Sequence, residues 1–243
     1  MSLFNNLFSK KDTNATTTAA PAMKIDMSKH AENLNTVLID MSKSGKTNMT
    51  NHTARVALAM DYSGSMGDLF EDGSVQDVIT RLLPIALKFD DNGELESWLF
   101  SNDKERLAPV TASNYENYVK KVMMHARMRM GGTQYAPVLN DIVKCYKNSS
   151  DIPAFVMFIT DGDNWDAYET DAIIRELSNY NMFIQFVGIG TDTDFAYLKK
   201  LDNLSGRKHD NTGFIAVKDM NKLNDQQLYT EMLRQYNEWL NNK

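Results

Sequence analysis

Apolar positions along this chain follow two alternating rhythms. Short continuous apolar runs, ARVALAM from Ala54, AFVMFI from Ala154 and MFIQFVGI from Met182, have the pattern of strands buried on both faces. Between them the apolar residues recur at helical spacing. Val75, Val78, Ile79, Leu82, Ile85, Ala86 and Phe89 form one such stripe, with Ser74 as its expected N-cap and Pro84 as an expected kink. ELESWLF after the turn DDNG reads as a strand, and TGFIAVKDM as the last strand. NYENYVKKVMMH, APVLNDIVKCYK, DAIIRELSNYN and DFAYLKKLDNL read as helices. A closing helix places Leu228, Met232, Tyr236 and Trp239 on one face. Strands separated by helices imply an α/β domain, with a mostly parallel sheet flanked by helices on both faces.

The first fifty residues lack this alternation. Asp12 to Ala22, DTNATTTAAPA, is small, polar and aperiodic, so residues 1–22 are expected to be a flexible tail. Leu3, Phe4, Leu7 and Phe8 fall on one face of a short helix at most, and the order of apolar patch then lysines is the reverse of a signal peptide. Lys24-Ile-Asp-Met-Ser-Lys29 is echoed by Leu38-Ile-Asp-Met-Ser-Lys43. The expectation for 23–53 is a pair of short extended pieces packed on a domain spanning 54–243.

Composition narrows the function classes. The chain has 243 residues and a formal net charge of -6, which argues against a general nucleic-acid binder. Cys145 is the only cysteine, so an internal disulfide and a cysteine-based metal site are both excluded, and a reducing, cytoplasmic setting is expected. No apolar run approaches the length of a membrane span.

The chemistry concentrates where apolar runs end. ALAMDYSGSMG delivers Asp61, Ser63 and Ser65 just past the first strand, spaced so that an extended turn can point three oxygens the same way. Thr160-Asp161-Gly162 follows a second buried strand, and in parallel sheets functional groups sit beyond such carboxyl ends. These are hard oxygen donors with no soft partner, a set that suits Mg²⁺, Mn²⁺ or Ca²⁺ better than zinc or copper.

DYSGSM resembles the Asp-x-Ser-x-Ser motif of von Willebrand factor A-type (vWA) domains, their metal-ion-dependent adhesion site (MIDAS). Gly131-Gly132-Thr133 and Thr160-Asp161-Gly162 resemble the family's second and third loops, in the family's order. The run from ARVALAMDYSGSMG to ELESWLF, together with MGGTQYAPVLNDIV and LYTEMLRQYNEWL, is similar to the vWA domains of bacterial tellurite-resistance and stress-response proteins. The resemblance extends from about Lys24 to the C-terminus. It implies a Rossmann-like fold and a metal site of Asp61, Ser63, Ser65, Thr133 and Asp161, with Mg²⁺ as the first candidate and Mn²⁺ or Ca²⁺ as alternatives. Ser63, Ser65 and Thr133 would approach the ion directly or through water, and Asp61 and Asp161 through bound waters. It further implies a non-enzymatic module whose protein partner supplies an Asp or Glu carboxylate, with other tellurite-resistance proteins among the candidate partners.

Two other readings compete. A metal-dependent phosphohydrolase would use Asp61 as nucleophile, but Ser63 stands where a second acid is expected. A structural scaffold with a vestigial site is the other alternative, separated by metal titration; a purely structural origin, with Ser63 and Ser65 as helix caps and Asp161 as a strand-end turn, would need the three loops to coincide by chance. His30, His52, His125 and His209 are scattered and outside any triad context. SKSGKT lacks the glycine of a phosphate loop, and DGDNWDAYE puts Trp165 at a calcium-ligand position. MMHARMRM reads as packing methionines rather than a soft-metal site, and GRKH as a solvated loop. Asp68, Glu71, Asp72, Asp163 and Asp166 are candidates for an acidic rim around the site.

Overall fold

The structure is a computed structural model and describes residues 25–148, 151–162, 164–190, 195–217 and 223–243. The expected tail, residues 1–22, lies outside the described residues. In chain order the elements are α1 (Ile25–Ser44), β1 (Arg55–Asp61), α2 (Gly67–Glu71), α3 (Ser74–Phe89), β2 (Glu96–Phe100), β3 (Lys104–Arg106), α4 (Tyr118–Lys121), α5 (Ala136–Tyr146), β4 (Ala154–Thr160), α6 (Ala167–Leu177), β5 (Met182–Ile189), α7 (Ala196–Asp202), β6 (Thr212–Val217) and α8 (Asp225–Asn242).

The apolar runs pair as their burial demands. The sheet order is β3-β2-β1-β4-β5-β6, parallel throughout except for the edge pair β2–β3. Side chains alternate across it. Val56, Leu58 and Met60 of β1 point into one core with α1, α3 and α8, whereas Ala57 and Ala59 point into the other with α5, α6 and α7. The α/β, Rossmann-like fold expected from the sequence is the fold observed. The chain turns outward to β2 and β3 on one side of β1, then crosses to β4 on the other. The crevice between the ends of β1 and β4 is therefore the topological switch point of the sheet.

The segment before β1 differs from expectation. Residues 25–44 form one helix, not two extended pieces. The echoed Ile-Asp-Met-Ser-Lys motifs stand about four helical turns apart, so they repeat on one face. Met27, Ala31, Leu34, Val37, Leu38 and Met41 make the buried stripe, and Lys29, Glu32, Asn35 and Asp40 face solvent. The helix packs on α8 and α3. A polar clasp fixes its register. The Asp225 carboxylate takes His30 Nδ1 at 2.6 Å and accepts from Asn33 Nδ2 at 3.0 Å and from Arg81 Nε at 3.0 Å. Burial alone would raise the Asp225 carboxyl, but the hydrogen bonds from His30 and Asn33 and the charges of His30 and Arg81 outweigh it and hold it below its ordinary range.

Smaller differences have local causes. Gly73, at φ +91°, precedes α3, and Asp72 Oδ1 accepts from Ser74 N at 2.8 Å, so Asp72 rather than Ser74 supplies the capping oxygen. α3 passes through Pro84 as one element, with Leu83 and Ile85 also buried beside it. The helix expected over NYENYVKKVMMH is cut short. Asn117 adopts the left-handed region at φ 58°, α4 ends at Lys121, and Met123–His125 is a 3₁₀ turn.

Two tests follow from this packing. Leu38→Ala should destabilise the chain by about 2–4 kcal/mol, the cost of an unrelaxed core cavity, read by chemical denaturation. A loss well under about 1 kcal/mol would mean that α1 is not part of the core. His52, between α1 and β1, meets the Tyr236 hydroxyl at 2.8 Å, and burial, with Lys243, lowers its imidazole to about 4. The folded chain thus refuses a proton that the unfolded chain accepts, and this contribution to stability is lost as pH falls from about 6.5 through about 4. The stability difference between wild type and His52→Gln should change by roughly 2 kcal/mol across that window; a flat difference would contradict it.

Candidate metal centre

Asp61 closes β1 and is fully buried. Its carboxylate satisfies both flanking segments. Oδ1 accepts from the Ser63 backbone N–H at 2.8 Å, and Oδ2 accepts from Thr160 Oγ1 at 2.6 Å across the switch point. The chain then runs extended through Ser63 and turns in a 3₁₀ loop, Gly64–Met66, that leads into α2. That turn brings Ser65 back beside Ser63, with their hydroxyl oxygens 3.1 Å apart, and Ser65 Oγ donates to Asp161 Oδ1 at 3.0 Å. Asp61, Ser63, Ser65 and Asp161 are thus linked by neighbouring hydrogen bonds.

The second loop joins through its backbone. Ser63 forms an isolated parallel bridge with Gly131, and Gly64 N donates to Gly131 O at 2.9 Å. Gly132 N donates to Asn102 Oδ1 at 2.6 Å. A Cβ on Gly132 would stand 2.5 Å from the Trp165 ring, so only glycine admits this approach. Thr133 is nearly buried, and its carbonyl accepts from Trp165 N at 2.9 Å. None of the hydrogen bonds linking the other four residues uses the Thr133 hydroxyl. Its loop is brought alongside them, and the side chain is not tied to them.

Several supporting residues were not legible as such. Thr160 stood in the Thr-Asp-Gly run, yet nothing in the sequence marked it as the partner of Asp61. Tyr135, fully buried at the start of α5, donates its hydroxyl to Gly162 O at 2.6 Å and so ties the second loop to the third. Asp166 was a candidate for the acidic rim. Its carboxylate instead accepts from Tyr135 N at 3.0 Å and Ala136 N at 2.7 Å, capping α5. Asp68, Glu71 and Asp72 are exposed on and after α2, and Asp163 lies outside the described residues.

The electrostatics of the site are unbalanced. Burial, with Asp161 adding to it, pushes Asp61 up to about 6 against the hydrogen bonds from Thr160 and Ser63. Burial also raises Asp161, opposed by Ser65. None of these influences is cationic. His30 and His52 are engaged elsewhere, with Asp225 and Tyr236. Among the described residues no group of three or more His, Cys, Asp or Glu is placed to hold a metal. What converges here is a different set, two carboxylates and serine hydroxyls. A hard cation fits such oxygens, and it would supply the charge they lack.

Comparison with known proteins agrees with this geometry. A family model described as the vWA domain found in the TerF C terminus matches residues 53–243. The chain is 38% identical over 199 residues to protein YcbR of Bacillus subtilis (strain 168), covering 80% of this chain and 81% of that one. Among solved structures it is similar to an aerotolerance-related membrane protein from Bacteroides fragilis NCTC 9343, with TM-score 0.56, 16% identity, and coverage of 76% of this chain and 99% of that one. It is also similar to proximal thread matrix protein 1 from the mussel byssus, in a structure with a zinc-occupied MIDAS motif. There the TM-score is 0.50 and the identity 14%, over 77% of this chain and 46% of that one.

The buried carboxylate gives a signed test in the presence of chelator. Between its ordinary range near 4 and about 6, folded Asp61 holds a proton that the unfolded chain has released, so stability falls as pH rises through that window. Asp61→Asn should therefore be more stable than wild type at pH 7, by roughly 1–3 kcal/mol, with the gap about halved at pH 5 and closed only below about pH 4. Equal stability at both pH values would show that the carboxylate is not strained by burial.

Proposed function

The chain belongs to the vWA family found at the TerF C terminus, and on that premise we propose that it is a divalent-metal-dependent protein-binding module of a bacterial tellurite-resistance or related stress-response system. vWA domains are typically interaction modules and not enzymes, and membership of the family supports reading this chain as such a module. The family description supports the tellurite or stress setting. No helix among the described residues is long and apolar enough to cross a membrane, and the single cysteine supports a reducing, cytoplasmic setting.

The observation that carries the reading is the run of oxygens from Asp61 through Ser63 and Ser65 to Asp161 at the switch point, with Thr133 alongside. Ser63, Ser65 and Thr133 would hold the ion directly or through water. Asp61 and Asp161 would hold it through bound waters. The zinc-occupied MIDAS motif of the mussel protein supports reading this loop edge as a cation site. Mg²⁺ is the first candidate because the donors are hard and few, with Mn²⁺ and Ca²⁺ as alternatives. With few direct charges on it, the bound ion would act as a Lewis acid toward an outside carboxylate, and the protein partner would supply an Asp or Glu. Burial of Asp61 keeps the donor shell dry on the sheet side, and its contacts with Thr160 and Ser63 fix its orientation.

Thermal denaturation with Mg²⁺, Mn²⁺ and Ca²⁺ tests the metal. Stabilisation should grow with the logarithm of ion concentration above Kd, reaching about 2.7 kcal/mol at a hundredfold excess, and it should shrink in Asp61→Ala and Ser63→Ala. No shift with any of the three ions at millimolar concentration would remove the site. Turnover of phosphoesters in the presence of Mg²⁺ or Mn²⁺, abolished by Asp61→Ala, would replace the binding module with a hydrolase.

A further inference from the structure

Beside the candidate metal centre lies a surface that folding does not explain. The exposed large hydrophobic side chains among the described residues are Ile39, Met124, Met130, Trp165 and Tyr168. All but Ile39 fall in two short segments that flank the metal-motif loops, one leading into Gly131 and one following Asp161. Met130 adjoins Gly131, whose backbone is bridged to Ser63. Trp165 is 75% exposed yet not loose. Its backbone N–H is bonded to Thr133 O at 2.9 Å, and its ring edge rests where a side chain on Gly132 would stand. It is an exposed aromatic lying against the glycine loop at the edge of the site. Tryptophans are enriched among the anchors of binding surfaces.

The segment leading into Gly131 carries only basic charge. Arg127 and Arg129 lie between the two exposed methionines, and both are exposed. Among the described residues neither has an ion-pair partner. Their segment is nevertheless pinned, because Arg129 O accepts from Ser101 Oγ at 3.1 Å and Met128 N donates to Glu105 Oε2 at 2.9 Å. A chain of net charge -6 thus holds two exposed guanidinium groups, without an ion-pair partner among the described residues, and an apolar edge on a tethered loop next to the candidate oxygen site.

We infer that this rim, Met124, Arg127, Arg129, Met130, Trp165 and Tyr168, is the docking surface for an acidic segment of a protein partner. The segment's carboxylates pair with Arg127 and Arg129, and an apolar residue beside them packs on Trp165. The inference rests on the metal-bridging reading, since the same segment would present one further carboxylate to the ion. Charge complementarity selects the occupant. The guanidinium fork matches a carboxylate. Asp68, Glu71 and Asp72 are exposed beyond the first motif, so the attractive charge is confined to Arg127 and Arg129; this suits a short segment with its carboxylates grouped there, and an extended polyanion such as nucleic acid would meet repulsion along the rest of the edge.

The test pans phage-displayed random dodecapeptides against the full chain in Mg²⁺, then measures retained peptides by fluorescence anisotropy. Retained sequences should be rich in Asp or Glu beside an apolar residue, and their binding should weaken with added salt. Trp165→Ala and the double variant Arg127→Glu/Arg129→Glu should each weaken them about tenfold or more, while leaving thermal stability unchanged. The inference is overturned if no peptide is retained, if the retained set has no acidic excess, or if both rim variants bind as wild type does. It is overturned equally if oligothymidylate binds more tightly than the peptides, or if sedimentation shows Trp165-dependent self-association, which would make a second copy the occupant. Chelator and Ser63→Ala separate the two readings. Binding that is lost in the rim variants but indifferent to chelator keeps the docking surface and removes the metal bridge. Binding lost with chelator but indifferent to the rim variants does the reverse.

Discussion

A fully buried carboxylate with no cation of its own governs the architecture of the loop edge. Asp61 stands at the end of β1, paired with Phe100 of β2 and one residue past the last register pair with β4, and its side chain is out of water. Desolvation is costly for a carboxylate unless hydrogen bonds or a positive charge offset it. Thr160 and the Ser63 backbone provide the hydrogen bonds, and burial still pushes the group up to about 6. The position of Thr160 at the end of β4 and the turn through Ser63 are what keep that carboxylate satisfied, and the same turn returns Ser65 toward Asp161. The proposed cation would supply the remaining term.

That strain is tolerated because the rest of the molecule is firmly packed. The sheet is covered on both faces, and α1 extends one of them with a stripe of methionine, leucine and valine against α8 and α3. The Asp225 clasp couples three helices at a single carboxylate, in contrast to Asp61. Here His30, Asn33 and Arg81 converge, and the group is held below its ordinary range. One buried carboxylate is fully compensated and structural. The other is compensated only by neutral donors and lies where a ligand can reach the serines beside it.

The strands and most helices were legible in the sequence, because each depends on short-range pattern; the Asp61, Ser63, Ser65, Thr133 and Asp161 set was singled out only through the resemblance of three separate loops to one family, and the fold brings those loops to one edge of the sheet. Apolar runs bounded by polar turns need no partner to be recognised. α1 was misread because its echoed motifs looked like a two-copy repeat of extended pieces, while the signal lay in their spacing of about four turns. NYENYVKKVMMH looked helical by periodicity, but Asn117 and the break after Lys121 leave most of it as turns. Asp166 and Thr160 could not be sorted by type. A carboxylate that rims a site and one that caps a distant helix are the same letter, and only the fold shows that Asp166 faces Tyr135 and Ala136.

The contacts between loops make the site and its rim one mechanical unit. Tyr135 reaches from the start of α5 to Gly162, Asp166 reaches back to cap that same helix start, and Trp165 hangs from the Thr133 carbonyl. Residues on both sides of Asp161 are therefore fixed by the loop that carries Thr133. The Thr133 hydroxyl, by contrast, is not tied to the other four proposed donors. A cation drawing that hydroxyl inward would pull on the carbonyl that holds Trp165, and through Tyr135 and Asp166 on the start of α5. The backbone at Trp165 could not stay in place while Thr133 moved unless that hydrogen bond broke. A cation bound as proposed would therefore influence the placement of the loop that carries Trp165, and a partner resting on that loop would bear on Thr133 through the same backbone bond.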